Sequence, residues 1–122
     1  MGRILIVDDD PLTVEMLSTA VSIFGHEGLK AYSGEEALRV VSAQKPDLIL
    51  LDLMMPGLDG FETLRQLRGM PGLDGLPVLV VTASAERDVE ERAAAAGANG
   101  CMHKPIDLAA LGGWIQRCGV KA

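Results

Sequence analysis

The sequence predicts a doubly wound α/β domain built around a five-stranded parallel sheet. Short β-rich runs alternate with helical patterns along the chain, which gives five strand-helix units. Three of the runs, residues 3–7, 47–51 and 78–81, are almost continuously apolar, as parallel strands covered on both faces require. The chain of 122 residues fits one domain, residues 1–122, and its 48% apolar content is enough to bury a single core.

Each element has its own local pattern. Strands are predicted at residues 3–7, 28–32, 47–51, 77–82 and 100–103. Apolar side chains spaced three and four residues apart predict the five helices, in chain order at Val14, Leu17, Val21 and Phe24; at Ala37 and Val41; at Phe61, Leu64 and Leu67; at Val89, Ala93 and Ala96; and at Leu108, Leu111, Ile115 and Cys118. Gly25, Gly69 and Gly97 each follow a helical pattern, where a residue in the left-handed conformation commonly ends a helix.

Charge and composition exclude several classes of protein. Eleven basic and seventeen acidic side chains give a net charge of −6 without a basic cluster, so direct binding to nucleic acid is not expected. The apolar run 47–55 is far too short to span a bilayer, and no signal-type segment precedes it, which favours a cytoplasmic location. Cys101 and Cys118 lie in no metal-type spacing and are expected to be reduced structural thiols. His26 and His103 have no partner at ligand spacing, so neither is expected to bind a metal.

Polar side chains follow the predicted strands at the end where doubly wound sheets bind ligands, beyond the carboxyl ends of the strands. The residues at these ends are Asp8, Asp9 and Asp10 after the first strand, Asp52 at the third, Thr82 at the fourth, and Lys104 with Pro105 at the fifth. Asp10 before Pro11 is a good helix N-cap and first-turn pair. Helix capping leaves Asp8 and Asp9 unexplained, and Asp52 ends an apolar strand where a carboxylate needs compensation.

These residue types together suit phosphoryl chemistry. Carboxylates that meet at one rim repel each other, and proton uptake or a bound cation relieves the repulsion. Oxygen-only ligands favour a hard ion such as Mg2+. A metal beside Asp52, with the fixed charge of Lys104 and the hydroxyl of Thr82, suits an incoming phosphoryl group. Asp52 would then be the nucleophile that forms an acyl phosphate.

Four motifs resemble the response-regulator receiver family of the CheY type, and the resemblance covers essentially the whole chain. "ILIVDDDP" resembles its first strand, "LILLDLMMPGLDGFE" its phosphorylation strand and loop, "VLVVTAS" its Thr/Ser strand, and "GANGCMHKP" its lysine strand. The motifs occur in the family's order. The resemblance implies a flavodoxin-like (βα)5 sheet with strand order 2-1-3-4-5.

The resemblance also implies a role for each site residue. Asp52 would accept phosphate from a phosphohistidine of a sensor histidine kinase or phosphotransfer protein. Asp9, Asp52 and the backbone carbonyl of Met54 would ligate Mg2+, with Asp8 acting largely through water. Thr82 and Lys104 would contact the phosphoryl oxygens, and the peptide bond between Lys104 and Pro105 would be cis.

The family's output surface is implied as well, with one departure. A downstream protein would bind the face formed by the fourth helix, fifth strand and fifth helix, and the chain would catalyse only its own phosphorylation and dephosphorylation. The family usually places Tyr or Phe three residues before the lysine, as a ring that changes rotamer on activation. Cys101 stands there, so the usual ring switch is not expected.

Three alternatives remain at this point. A phosphatase of the haloacid dehalogenase type also uses a strand-end Asp with Mg2+, but its mechanism needs an acidic residue where Met54 stands. A flavodoxin-like FMN binder shares the sheet order, but the carboxylates of "DDDP" would repel its phosphate. The chain could also be a receiver taken from a hybrid kinase or a multidomain regulator.

Overall fold

A computed structural model of the protein describes residues 2–55, 57, 59–73, 75–83 and 88–120. Five strands of this part of the chain form one parallel sheet in the order β2-β1-β3-β4-β5. The predicted fold class and strand order are therefore confirmed. The strands are β1 (Arg3–Val7), β2 (Glu27–Ala31), β3 (Leu48–Asp52), β4 (Val78–Thr82) and β5 (Gly100–His103).

A helix follows each strand. The helices are α1 (Pro11–Ile23), α2 (Gly34–Ala43), α3 (Gly60–Gly69), α4 (Val89–Ala95) and α5 (Leu108–Arg117). Asp10 caps α1 as predicted, because its side chain accepts a hydrogen bond from the amide of Leu12. No helix in the described ranges is long and apolar enough to cross a membrane.

Alternating strand residues separate the core into two layers. One layer joins residues such as Leu5, Val7, Ile49 and Leu51 to the buried faces of α2, α3 and α4. The other joins Ile4, Ile6, Leu48 and Leu50 to α1 and α5. Successive strand side chains point to opposite faces, so continuously apolar strands are what a sheet with helices on both sides requires.

Several predicted boundaries are off by one residue. The second strand is shifted from 28–32 to 27–31, and the third from 47–51 to 48–52, so Asp52 is the last residue of β3. The fourth strand begins at Val78 rather than Pro77, which has no amide hydrogen to donate to a ladder.

The predicted helix ends are correct at two of three glycines. Gly25 and Gly97 have φ of 87° and 109°, in the left-handed region. The prediction for Gly69 is wrong, since Gly69 is the last residue of α3 and does not have a positive φ. The chain turns instead at Gly72, which has φ of 81°.

Candidate functional site

The candidate site lies at the carboxyl ends of β1, β3, β4 and β5, where the sheet order brings four polar side chains to one rim. Asp8 directly follows β1, Asp52 ends β3 and Thr82 ends β4, and each of these residues is at most 3% exposed. Lys104 directly follows β5, and its side chain is 25% exposed. Burial of two carboxylates at one rim is costly unless hydrogen bonds or opposite charges compensate it.

Asp8 is held by contacts on both carboxylate oxygens. Its Oδ2 accepts a hydrogen bond from Lys104 Nζ at 2.8 Å, and its Oδ1 accepts one from the amide of Asp10 at 2.9 Å. Because protein groups occupy both oxygens, Asp8 is better suited to contact a metal through water than to bind it directly. Lys104 is thus the direct partner of Asp8.

Asp52 has weaker compensation. Its Oδ1 accepts a hydrogen bond from the amide of Met54 at 3.1 Å, and its Oδ2 lies 3.7 Å from Lys104 Nζ. The lysine thus stands about one ångström farther from Asp52 than from Asp8. Asp52 is consequently the less neutralised of the two buried carboxylates.

The pKa of Asp52 reflects this environment. Burial, together with the negative charges of Asp8 and Asp9, raises the pKa of Asp52 from 3.8 to about 6. The Met54 amide and the Lys104 ammonium act in the opposite direction without cancelling the increase. A carboxyl group with a pKa near 6 is costly to ionise in the folded protein, so a further positive charge beside it would be stabilising.

The pKa of Lys104 is shifted in the complementary direction. Burial acts to lower it, but the hydrogen bond to Asp8 and the negative charges of Asp52, Asp8 and Asp10 outweigh that effect and raise it. Lys104 therefore stays protonated at neutral pH and supplies a fixed positive charge at the rim.

The three carboxylates can hold a cation together. Asp8, Asp9 and Asp52 each offer a carboxylate oxygen, and these oxygens all lie within 4.8 Å of one another. Asp9 is exposed, so the group opens to solvent on its side. An all-oxygen donor set with room for water fits Mg2+, which usually takes one or two carboxylates and keeps several waters.

The other predicted site residues lie around this group. Met54 is two residues beyond Asp52 and 63% exposed, and the role of its carbonyl as a metal ligand stays a prediction. Thr82 is fully buried, and its carbonyl accepts a hydrogen bond from the Lys104 amide at 2.8 Å. The peptide bond between Lys104 and Pro105 is cis, as predicted.

Gly60 fixes the distance between α3 and the end of β3. A Cβ atom at this first helical residue would collide with the carbonyl oxygen of Asp52 and with Cα of Leu53. Asp59, just before it, caps α3 by accepting a hydrogen bond from the Glu62 amide. The "DG" pair thus lets the first turn of α3 lie close to the end of β3.

Sequence spacing missed a second group of ligand-type side chains. Glu90, Cys101 and His103 come together on α4 and β5, with their donor atoms within 4.8 Å of one another. His103 therefore has possible partners that spacing alone did not indicate, because the chain turns back at Gly97 after α4 and β5 then lies beside that helix. His26 is buried elsewhere, where its Nδ1 accepts a hydrogen bond from the Gly2 amide.

The chain matches a protein-family model described as the response regulator receiver domain, over residues 4–116. The chain belongs to the response regulator receiver family. This finding agrees with the four motifs and with the rim of acidic, hydroxyl and ammonium groups. Receiver domains generally bind Mg2+ at an acidic cluster such as Asp8, Asp9 and Asp52.

Known proteins resemble this receiver domain over most of its length. Protein PilH of Pseudomonas aeruginosa is 36% identical over 107 residues, which cover 88% of each chain. The solved structure of Vibrio cholerae chemotaxis protein CheY4 has a TM-score of 0.91 and 30% identity, and covers 97% of this chain and 98% of its own.

A third relative is longer. Response regulator MprA of Mycobacterium tuberculosis is 46% identical over 111 residues, which are 89% of this chain and 46% of MprA. This receiver domain therefore spans less than half the length of MprA.

Proposed function

We propose that this receiver domain is a signalling phosphoacceptor, which takes a phosphoryl group on Asp52 from a phosphohistidine in a Mg2+-dependent reaction. The observation that carries the proposal is the position of Asp52. It is buried at the end of β3, within 4.8 Å of two other carboxylates and 3.7 Å from Lys104 Nζ. Receiver domains typically interact with sensor kinases or phosphotransfer proteins, which would supply the phosphohistidine.

In the proposed reaction an Asp52 carboxylate oxygen attacks phosphorus, so a phosphorus–oxygen bond forms while the phosphorus–nitrogen bond of the donor breaks. The leaving imidazole keeps the electron pair of that bond. Mg2+, held by Asp9, Asp52 and the Met54 carbonyl with Asp8 acting through water, would supply positive charge to the phosphoryl oxygens. Little other chemistry is required of the protein, because phosphoryl transfer depends mainly on positioning and charge.

Lys104 and Thr82 would stabilise the phosphorylated form. Lys104 is charged and within reach of both buried carboxylates, so a shift of Nζ from Asp8 toward Asp52 would pair it with a phosphoryl oxygen. Thr82, at the end of the neighbouring strand, would donate its hydroxyl to another oxygen. The chain would act on no other substrate and would catalyse only its own phosphorylation and dephosphorylation.

The proposed output is binding of a downstream protein to the face formed by α4, β5 and α5. Thr82 and Lys104 end or follow the strands β4 and β5 that lead to this face. The sequence favours relay through Thr82 and the residues after it, of which 84–87 lie outside the described ranges. The cytoplasmic location also stays a prediction.

Intact mass after incubation with acetyl phosphate and Mg2+ tests the proposal. We expect one added phosphoryl group on the wild type and none when EDTA is present. Asp52→Asn should lose the adduct. Asp59→Asn should keep it, because asparagine also caps a helix. A stable adduct on Asp8 or Asp59 of the wild type would contradict the assignment.

A further inference from the structure

A second set of donor atoms lies where α4 packs against β5, the edge strand of the sheet. Cys101 and His103 are two residues apart on β5, so their side chains lie on the same face of the strand. Glu90 is in the first turn of α4 and reaches toward them, with its Oε1 3.8 Å from His103 Nδ1. One sulfur, one nitrogen and one oxygen atom from these residues all lie within 4.8 Å of one another.

This donor set differs in chemistry from the acidic rim. The rim offers carboxylate oxygens, which suit Mg2+, whereas a thiolate, an imidazole and a carboxylate suit Zn2+. Bond lengths of about 2.0 to 2.3 Å place tetrahedral zinc ligands roughly 3.3 to 3.7 Å apart. The three donor atoms therefore need to approach one another by at most about 1.5 Å.

The side chains have the freedom to make that approach. The His103 and Glu90 side chains are 45% and 64% exposed, and Cys101 is only partly buried. Exposed side chains exchange rotamers rapidly, so closure around an ion requires no change in the strand or the helix.

Space for a further ligand adjoins the group. A cavity of about 240 Å3 is lined by residues that include Glu90, Cys101 and Trp114. A water molecule needs far less volume, so one could complete a tetrahedral site with three protein ligands.

We propose that Glu90, Cys101 and His103 form a Zn2+ site that links α4 to β5. The site goes beyond phosphorylation at Asp52 and does not depend on it. A simple ion pair between Glu90 and His103 is the competing explanation of their proximity. The ion pair would give Cys101 no role, so a variant of Cys101 distinguishes the ion pair from the metal site.

Titration with Co2+, a spectroscopic substitute for Zn2+, tests the proposal on protein without a histidine tag. Excess Mg2+ is included so that the acidic rim does not contribute. We expect a thiolate-to-cobalt charge-transfer band that saturates at one equivalent and disappears when Zn2+ is added. Fluorescence of Trp114, the only tryptophan in the chain, should decrease in the same titration because it borders the cavity.

Matched variants identify the ligands. Cys101→Ser should remove the band, whereas Cys118→Ser, which alters the other free thiol, should keep it. His103→Gln and Glu90→Gln alter exposed side chains and leave the core intact, and each should weaken binding at least about tenfold. The proposal is overturned if the wild type gives no thiolate-to-cobalt band. It is also overturned if Cys101→Ser binds Co2+ as tightly as the wild type, or if both His103→Gln and Glu90→Gln do.

Discussion

Replacing Asp52 with asparagine should make the folded protein more stable at pH 7 in the presence of EDTA. Most substitutions of buried residues destabilise a protein. Here the ionised carboxylate of Asp52 is repelled by the charges of Asp8 and Asp9, and the nearby Lys104 ammonium is hydrogen-bonded to Asp8. Asparagine keeps nearly the same shape and can still accept the hydrogen bond of the Met54 amide, but it removes the charge.

The size of the effect follows from the pKa of Asp52. A pKa of about 6 in the folded state, against 3.8 for an aspartate side chain exposed to water, costs the ionised folded form about 3 kcal/mol at pH 7, at about 1.4 kcal/mol per pH unit. Asparagine buries its own polar amide, which offsets part of the gain. We therefore expect Asp52→Asn to raise the free energy of unfolding by about 1 to 3 kcal/mol.

The effect should depend on pH with a defined sign. Because the pKa of Asp52 is higher in the folded state than in the unfolded state, the folded protein binds the proton more tightly. The resulting stability is fully present below about pH 4 and is lost as the pH rises through about 6. The advantage of Asp52→Asn should accordingly be largest at pH 7 and close to zero at pH 4.

Urea denaturation in EDTA at several pH values between 4 and 7 measures this difference. Asp47→Asn is the control, since it removes the same charge at the opposite end of the sheet, where Asp47 accepts a hydrogen bond from the Arg3 amide. It should change the free energy of unfolding by less than about 0.5 kcal/mol. A wild type more stable than Asp52→Asn at pH 7, or a difference that does not vary with pH, would refute the role given to charge repulsion.

Two further predictions concern the metal and the strand end. Mg2+ at 100 times its dissociation constant should stabilise the wild type by about 2.7 kcal/mol. It should stabilise Asp9→Ala much less, because that variant lacks a metal ligand. Equal stabilisation of the two proteins in urea melts would argue against the site. Gly60→Ala should destabilise the fold by at least about 2 kcal/mol, because its Cβ would meet the backbone of Asp52 and Leu53. Gly69→Ala, whose Cβ would meet nothing within 4 Å, should be neutral or stabilising by up to about 1 kcal/mol in the same melts.

Structural features that depend only on residues close together in the sequence could be predicted from the sequence. The apolar runs indicated β1, β3 and β4, and the spacing of Val14, Leu17 and Val21 indicated the buried face of α1. Each pattern results from the geometry of a single strand or helix, so it is readable without knowledge of the fold. The polar strand ends followed from the same patterns, since parallel strands share one carboxyl edge.

Errors arose where local patterns leave the outcome open. Gly69 fits a helix terminus by composition, but α3 includes it and the left-handed turn falls at Gly72. Strand ends moved by one residue at β2 and β3, because ladder pairing with the neighbouring strand determines the last paired residue. Such boundaries depend on register between strands, which spacing along one segment does not specify.

The sequence by itself determined the five strand-helix units and the residues that stand at the strand ends. Only the tertiary structure decided that Lys104 donates its hydrogen bond to Asp8 rather than to Asp52, and that burial raises the pKa of Asp52. It also decided that the side chain of Glu90 lies beside those of Cys101 and His103. The physical reason is the distance along the chain over which each interaction acts. Periodicity and capping act over a few residues, whereas these contacts join side chains from separate elements, and their distances are set by how those elements pack.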